Sequence, residues 1–387
     1  MHPLMVNNIT DDDLESLITF LRSKPKLTSG EKVFEFEKQW SEWLGVKHSV
    51  FVNSGSSANL ISIAALRQIR GDGGEIIVPP LTWVSDIAAV LQNGFTPKFV
   101  DIDLDNLCMR TEDVMSNVNE NTKAVFITYA QGFNGLTDDL ISFLNDRDIV
   151  LIEDVCESHG AIHNNQKLGS FGLISNFSFF YAHHMSTIEG GMACTNDDDL
   201  YQILRMYRSH GLVRESNNQK LRDQYLRDSN HLNSEFIFAF PAYNVRNTEI
   251  GAVLGLNQLK RLDENNKKRT DNLHYFLENL DSKIYKTDFD LEGSSNYAFN
   301  VILNKPDFSY RDLVEEVLTK NEIEFRRGSA GGGNQIRQPY LKGIVDEGHW
   351  EKFPNTEHIH HFGWYIGNYP ELAKKKIDEI LSVLNNI

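Results

Sequence analysis

Apolar residues recur at helical spacing from Val33 through Phe36, Trp40, Trp43 and Leu44, and Gly45 stands where a helix C-terminal glycine is expected. The pattern predicts an amphipathic helix that opens the fold. His48 to Asn53 reads as a short buried strand, and Ser54-Gly55-Ser56-Ser57-Ala58-Asn59 as a turn feeding a helix through Ala65. The rhythm then repeats: Glu75 to Val78 is a strand ending at Pro79-Pro80, a helix runs near Ser85 to Leu91, and Pro97 to Asp101 is another strand. Ala124 to Tyr129 and Ile149 to Glu153 are short apolar runs of the kind required by a sheet covered on both faces. Such alternation predicts a mainly parallel, doubly wound α/β domain.

After about Asn247 a helical pattern rich in Leu, Lys, Arg and Glu continues to about Leu280. Strand-like segments follow at Ala298 to Leu303 and Glu322 to Phe325, and a last helix places Ile377, Ile380, Leu381 and Leu384 on one face. A large α/β unit over residues 1–247 and a smaller α+β unit over 248–387 are therefore expected.

Composition narrows the partners. A chain of 387 residues with 41% hydrophobic positions can bury a large core. Its net charge of −16 argues against nucleic acid or a membrane surface as partner, while leaving room for a local basic pocket that takes a phosphorylated ligand. Cys108, Cys156 and Cys194 lie far apart without a C-x-x-C pair, so neither a disulfide framework nor a zinc or iron–sulfur ligand set is expected, and a cytoplasmic location fits. Met1 to Asp13 lacks a basic segment followed by an apolar run, and no apolar stretch reaches the length of about 18 residues that a membrane span needs.

Three segments carry candidate chemistry. The turn Ser54-Gly55-Ser56-Ser57 offers N–H groups and hydroxyls at a helix N-terminus, which suits a phosphate; the same residues also serve as an ordinary helix cap. Ile149-Val-Leu-Ile-Glu-Asp154 is an apolar strand ending in a carboxylate, followed by Cys156, Glu157 and Ser158. Ligands of open α/β sheets bind at such strand ends, where Asp154 either meets a cationic ring nitrogen or caps the next helix. The third segment runs from Asn176 through Ser178, His183, His184 and Glu189-Gly190-Gly191 to Asp197. Adjacent side chains on an extended chain point oppositely, so the two histidines make a poor chelate and no metal site is expected; His184 reads as structural.

The phosphate turn, the strand-end aspartate and the pattern Ser178-x-x-x-x-His183-x-x-x-x-x-Glu189-Gly190-Gly191 together resemble the DegT family of sugar-nucleotide aminotransferases over nearly the whole chain. That family has a lysine five residues after the serine and six before Glu-Gly-Gly; here the position is His183, and no lysine occurs between Lys167 and Lys220. The setting Phe180-Tyr-Ala-His-His-Met-Ser-Thr-Ile-Glu-Gly-Gly191 is similar to a lysine-free branch that removes the C3 hydroxyl of GDP-linked 4-keto-6-deoxymannose. Glu153-Asp154-x-Cys156-Glu157-Ser158-x-Gly160-Ala161, Arg208-Ser-His210-Gly211, Tyr243-Asn244-Val245-Arg246 and Gly363-Trp-Tyr-Ile-Gly367-Asn368 agree with that branch.

The resemblance implies a fold type I homodimer that uses pyridoxal 5'-phosphate (PLP) and its pyridoxamine form, with L-glutamate as amino donor and a nucleotide-linked 4-keto sugar as substrate. It assigns the coenzyme phosphate to Gly55, Ser56 and Ser178, the ring stack to Trp83, the pyridinium partner to Asp154 and a place near the coenzyme hydroxyl to Glu157. Asn244 would be supplied by the other subunit. His210 and Arg214 fall in a segment associated with the active site, and Arg327, with Arg326 and the Gly331-Gly332-Gly333 loop, would meet the sugar nucleotide's diphosphate or form a solvated loop. Histidine cannot form the imine that lysine forms with PLP, but its ordinary pKa suits a general acid and base. The expected activity is thus a 3-dehydratase with His183 as acid/base, serving deoxysugar biosynthesis such as that of lipopolysaccharide O-antigen. An aminotransferase-like enzyme acting on another nucleotide sugar, or an inert relative that binds PLP or a sugar nucleotide, is the alternative.

Overall fold

The computed structural model describes all of residues 1–387. Along the chain the strands are β1 (His48–Val52), β2 (Glu75–Val78), β3 (Thr96–Phe99), β4 (Thr122–Thr128), β5 (Val150–Asp154), the short hairpin β6 (Ile162–His163) and β7 (Gln166–Lys167), β8 (Ile174–Ser178) and β9 (Gly191–Thr195). Three more follow: β10 (Ala298–Ile302), β11 (Phe325–Arg327) and β12 (Gly363–Gly367). Seven of them form one sheet in the order β1-β9-β8-β5-β4-β2-β3, and β10-β12-β11 form a second, antiparallel one. Within the large sheet only β9 is reversed, pairing antiparallel with both β1 and β8, so the expected mainly parallel arrangement is what the chain forms.

Why these strands read as uninterrupted apolar runs is plain from their surroundings. Every residue of β5, β8 and β9 is buried, because helices cover both faces of the sheet. Helix Gly55–Arg70 packs on β8 and β9, and helix Glu31–Leu44 packs on β1 and on helix Glu249–Leu259. Phe36 and Trp40, both fully buried, meet Phe51, Phe177 and Phe179 edge-on or tilted at the centre of that layer. The last helix, Lys374–Leu384, buries Ile377, Ile380, Leu381 and Leu384 as its periodicity predicts.

Several expectations need correction. The fold opens not with the Val33 helix but with helix Asp11–Arg22, whose start is fixed by a reciprocal cap: Asp13 N–H donates to Thr10 Oγ1 at 3.3 Å and Thr10 N–H to Asp13 Oδ2 at 2.9 Å. The helical pattern expected from Asn247 to Leu280 is two helices, Glu249–Leu259 and Leu262–Asn279. At the break, Arg261 turns back to pair with Asp13 at 2.5 Å. The strand placed at Glu322 to Phe325 begins later, at Phe325, and the chain start joins it: His2 N–H donates to Glu322 O at 2.8 Å and Glu324 N–H to His2 O at 2.9 Å.

Candidate active site

The C-terminal ends of β4, β5 and β8 point toward the turn after β1, and the chemistry-bearing residues collect there. Ser54 does cap its helix, accepting from Ser57 N–H at 3.0 Å. That leaves the N–H groups of Gly55 and Ser56, in the first turn, with no helical carbonyl to bond. Gly55 is required by close approach, since a Cβ there would come within 2.6 Å of Ser178 Cβ and 3.1 Å of Cys156 Sγ. Gly191 is required for the same reason on the other side: its Cβ would meet Ser54 O at 2.3 Å and Gly55 N at 2.6 Å. The Glu-Gly-Gly motif is therefore the place where reversed strand β9 starts flush against the turn.

Strand alternation separates the two acids that end β5. Glu153 faces away and binds the backbone of the following loop, accepting from Gly169, Phe171 and Gly172 N–H at 2.7, 3.0 and 2.6 Å, and from the Tyr129 hydroxyl at 3.0 Å. Asp154 faces the Gly55 helix. It accepts from Cys156 N–H at 2.8 Å and from the side-chain amide of Asn59 at 3.2 Å. The same amide reaches Asp86, on the first turn of helix Val84–Gln92, at 2.6 Å. Trp83, at the N-cap of that helix and three residues before Asp86, leaves 58% of its surface open.

Opposite lies a basic wall. His183 sits in the loop between β8 and β9, its ring 5.6 Å from that of Tyr297 and 6.2 Å from that of His159. Its Nδ1 is buried with no hydrogen-bond partner, and burial, helped by the charge of Arg269, lowers its pKa to about 4. Arg269 is itself fully buried and meets no carboxylate; it donates to Tyr297 O at 2.9 Å, to Asn368 O and to Met5 Sδ at 3.6 Å. His184 is held by Ser295 O at 3.2 Å, and His159, fully buried, lies 5.2 Å from its ring. Burial pushes both imidazoles well below their usual range.

Glu157 bridges the two walls. Burial raises its carboxyl to about 7, although Gln131 N–H donates to it at 2.8 Å. Gln131 has a left-handed backbone, φ 58°, and its side-chain amide donates to Ser329 O at 2.7 Å. The glycine loop closes the same side, because a Cβ on Gly331 would lie 2.1 Å from Thr82 O. It is thus a packed loop.

Other sequence candidates stand apart from this cluster within the single chain. Asn244 is exposed, accepts from Arg246 Nε at 3.1 Å and bonds to none of the groups above. His210 is exposed, with φ 63°. Arg214 donates to Glu235 O at 3.0 Å and lies over Phe236, and Arg327 donates to Glu315 at 3.1 Å. Conversely, the structure brings in Asp86, Gln131, Arg269, Tyr297 and Tyr365, none of which the sequence reading singled out. Asp86 had a legible signal, a carboxylate on the apolar face it shares with Ile87 and Val90. Tyr365, whose ring lies 6.1 Å from that of Tyr297, falls within the Gly363–Asn368 segment quoted above, whereas Gln131, Arg269 and Tyr297 sit outside any motif.

Residues 7–385 match the DegT/DnrJ/EryC1/StrS aminotransferase family. The chain belongs to this family. Over 390 residues it is 33% identical to the GDP-4-keto-6-deoxy-D-mannose 3-dehydratase of Escherichia coli O55:H7, covering 99% of each chain. It is similar in structure to the E. coli GDP-4-keto-6-deoxy-D-mannose-3-dehydratase with bound hydrated PLP, with a TM-score of 0.89, 32% identity and 99% of each chain covered. A second such dehydratase structure, with a trapped PLP–glutamate geminal diamine, matches at TM-score 0.88 and 32% identity over 99% of this chain and 100% of that one. This member of the DegT/DnrJ/EryC1/StrS family therefore has the fold type I architecture and uses PLP. No helix is long and apolar enough to cross a membrane.

Proposed function

We propose that this family member is a 3-dehydratase: it replaces the C3 hydroxyl of a nucleotide-linked 4-keto-6-deoxyhexose, GDP-4-keto-6-deoxymannose foremost, with hydrogen, oxidising L-glutamate to 2-oxoglutarate and releasing ammonia. The observation that carries this reading is the imidazole of His183 where the family's lysine would stand, in a stretch without lysine from 168 to 219.

The residues present fit the coenzyme. A cradle that any side chain on Gly55 would fill, two free N–H groups and the Ser178 hydroxyl beside them suit its phosphate. The buried carboxyl of Asp154 suits a protonated ring nitrogen, and the open face of Trp83 suits the ring itself. Glu157 would stand near the coenzyme hydroxyl, and Asn244 would reach the phosphate of a second copy in a homodimer. PLP, loaded with the amino group of glutamate, supplies there the electron sink that lets the C3 hydroxyl leave.

The chain's own part is proton handling. With a pKa near 4, His183 is neutral at physiological pH and would take a proton from the carbon next to the coenzyme ring and pass it to the departing C3 hydroxyl, which leaves as water. It cannot anchor the coenzyme covalently, so retention rests on the non-covalent contacts named above. His210, Arg214 and Arg327 are the proposed contacts of the sugar nucleotide; Arg214 and Arg327 would have to give up their surface pairs with Glu235 and Glu315.

The test is direct. Protein incubated with PLP, glutamate and GDP-4-keto-6-deoxymannose should release ammonia and form a 4-keto-3,6-dideoxy sugar nucleotide by mass. A 4-amino sugar nucleotide in its place would assign the chain to the aminotransferases instead, and silence with every 4-keto sugar nucleotide tried would favour an inert relative.

A further inference from the structure

Asp86 lies directly behind Asp154, and nothing cationic stands between them. Asp86 is fully buried and Asp154 is 4% exposed. The hydrogen bonds to both come from neutral groups alone: Asn59 and Cys156 N–H for Asp154; Asn59, the Thr82 hydroxyl and the Thr128 hydroxyl, at 2.8 Å, for Asp86. Thr128 is the cross-strand neighbour of Asp154, so the pair is built across β4 and β5. The remaining titratable groups facing Asp86 are Cys156 and Tyr340, and neither brings a positive charge.

Counting hydrogens exposes a shortage. The amide nitrogen of Asn59 has two, yet it faces three oxygens: Ser85 Oγ at 3.1 Å, Asp86 Oδ1 at 2.6 Å and Asp154 Oδ2 at 3.2 Å. Two buried, adjacent carboxylates with no cation and too few donors repel one another, unless one of them carries a proton. The first-turn position of Asp86 favours an anion through the helix dipole, but that effect is weaker than the cost of burying a second charge beside the first.

We propose that Asp86 is a positioning residue that holds this proton and donates it toward Asp154, so that the pair presents one negative charge and one fixed carboxylate to the ring nitrogen of the coenzyme. The direction of its titration agrees: burial, then the neighbouring Asp154 carboxyl, raise the Asp86 pKa well above the usual range. A neutral donor behind Asp154 stabilises its anionic form without adding a second charge. The proposal rests on the reading of Asp154 as the ring-nitrogen partner.

The experiment uses the full-length protein with PLP and no sugar substrate, so the dehydratase reading does not enter it. Infrared difference spectra of wild type against Asp86→Asn should show the carbonyl stretch of a protonated carboxylic acid at neutral pH. Asp86→Asn keeps a neutral donor, so it should retain PLP affinity within about threefold and leave ring-nitrogen protonation, read by nuclear magnetic resonance on isotope-labelled PLP, unchanged. Asp86→Ala should lose about tenfold in PLP affinity while melting as a folded protein. Absence of the acid band, a fall of about one unit or more in the ring-nitrogen pKa in Asp86→Asn, or wild-type PLP affinity in a folded Asp86→Ala would each overturn the proposal. Asp154→Asn separates the two claims: unchanged ring-nitrogen protonation in that variant overturns the Asp154 reading, and the Asp86 proposal with it.

Discussion

The carboxyl wall and the imidazole wall of the site solve opposite problems with the same tool. Around Asp154, two acids are buried with no cation in hydrogen-bonding reach; around the half-buried His183, the imidazoles of His159 and His184 and the guanidinium of Arg269 are buried with no anion in hydrogen-bonding reach. Burial, foremost, drives groups on both sides toward neutrality, raising the Asp86 carboxyl and lowering the three imidazoles and Arg269. The difference is what each wall leaves charged. The carboxyl side has backbone and amide donors on Asp154 and so can present an anion, whereas His183 has no acceptor at its buried nitrogen and stays neutral. One side is arranged to hold a charge, the other to receive a proton.

Breaking the receiving side should have the largest effect. His183→Asn should lower ammonia release by about a hundredfold to ten-thousandfold while PLP still binds, measured by turnover beside an equilibrium affinity. Breaking the holding side should cost less: Asp154→Asn should weaken PLP by about ten- to a hundredfold, in line with loss of a charge-assisted hydrogen bond, with a shift in the bound-coenzyme absorption.

Glu157, between the walls, gives a pH signature. Its folded-state pKa of about 7 lies above the ordinary 4.5, so the folded protein binds more protons in that window and its stability should fall as pH rises through it. Glu157→Gln should abolish this fall, on the order of 2 kcal/mol across the window, read by chemical denaturation of the coenzyme-free protein at several pH values. For His183 the sign is reversed: a pKa of about 4 against the ordinary 6.5 means its contribution is intact above 6.5 and is lost as pH falls toward 4. Arg269→Met should sharpen the contrast least in size but most in kind, moving the imidazole titration of His183 up by on the order of one pH unit by resonance titration.

The sheet was legible because its strands are covered on both faces and so announce themselves as apolar runs; β2 matches its expected bounds residue for residue. The clustering of Ser54-Gly55-Ser56, Asp154 and Ser178 was legible too, since they lie in motifs whose spacing reflects backbone contacts. Strands β8 and β9 were hidden inside the same motif, where polar residues such as Ser175, Asn176 and Thr195 interrupt the apolar pattern but are buried and bonded. Arg269 and Tyr297 were not legible. A buried guanidinium on a helix otherwise rich in charge, and a tyrosine just before a strand, acquire meaning only when the chain brings them behind position 183.

The loop that carries His183 leaves and returns at one spot: Ser178 touches Gly55, Gly191 touches Ser54, and the two are paired across β8 and β9. Its base is also tied by Phe179 N–H to Gly190 O at 2.8 Å and Thr187 N–H to Phe179 O at 2.9 Å. A tip clamped at its neck in this way can change its side chain without disturbing the seat below. On the proposed reading, exchange of one residue at that tip would redirect the reaction while the vitamin-binding frame is inherited intact, a short evolutionary path between adding an amino group and removing an oxygen.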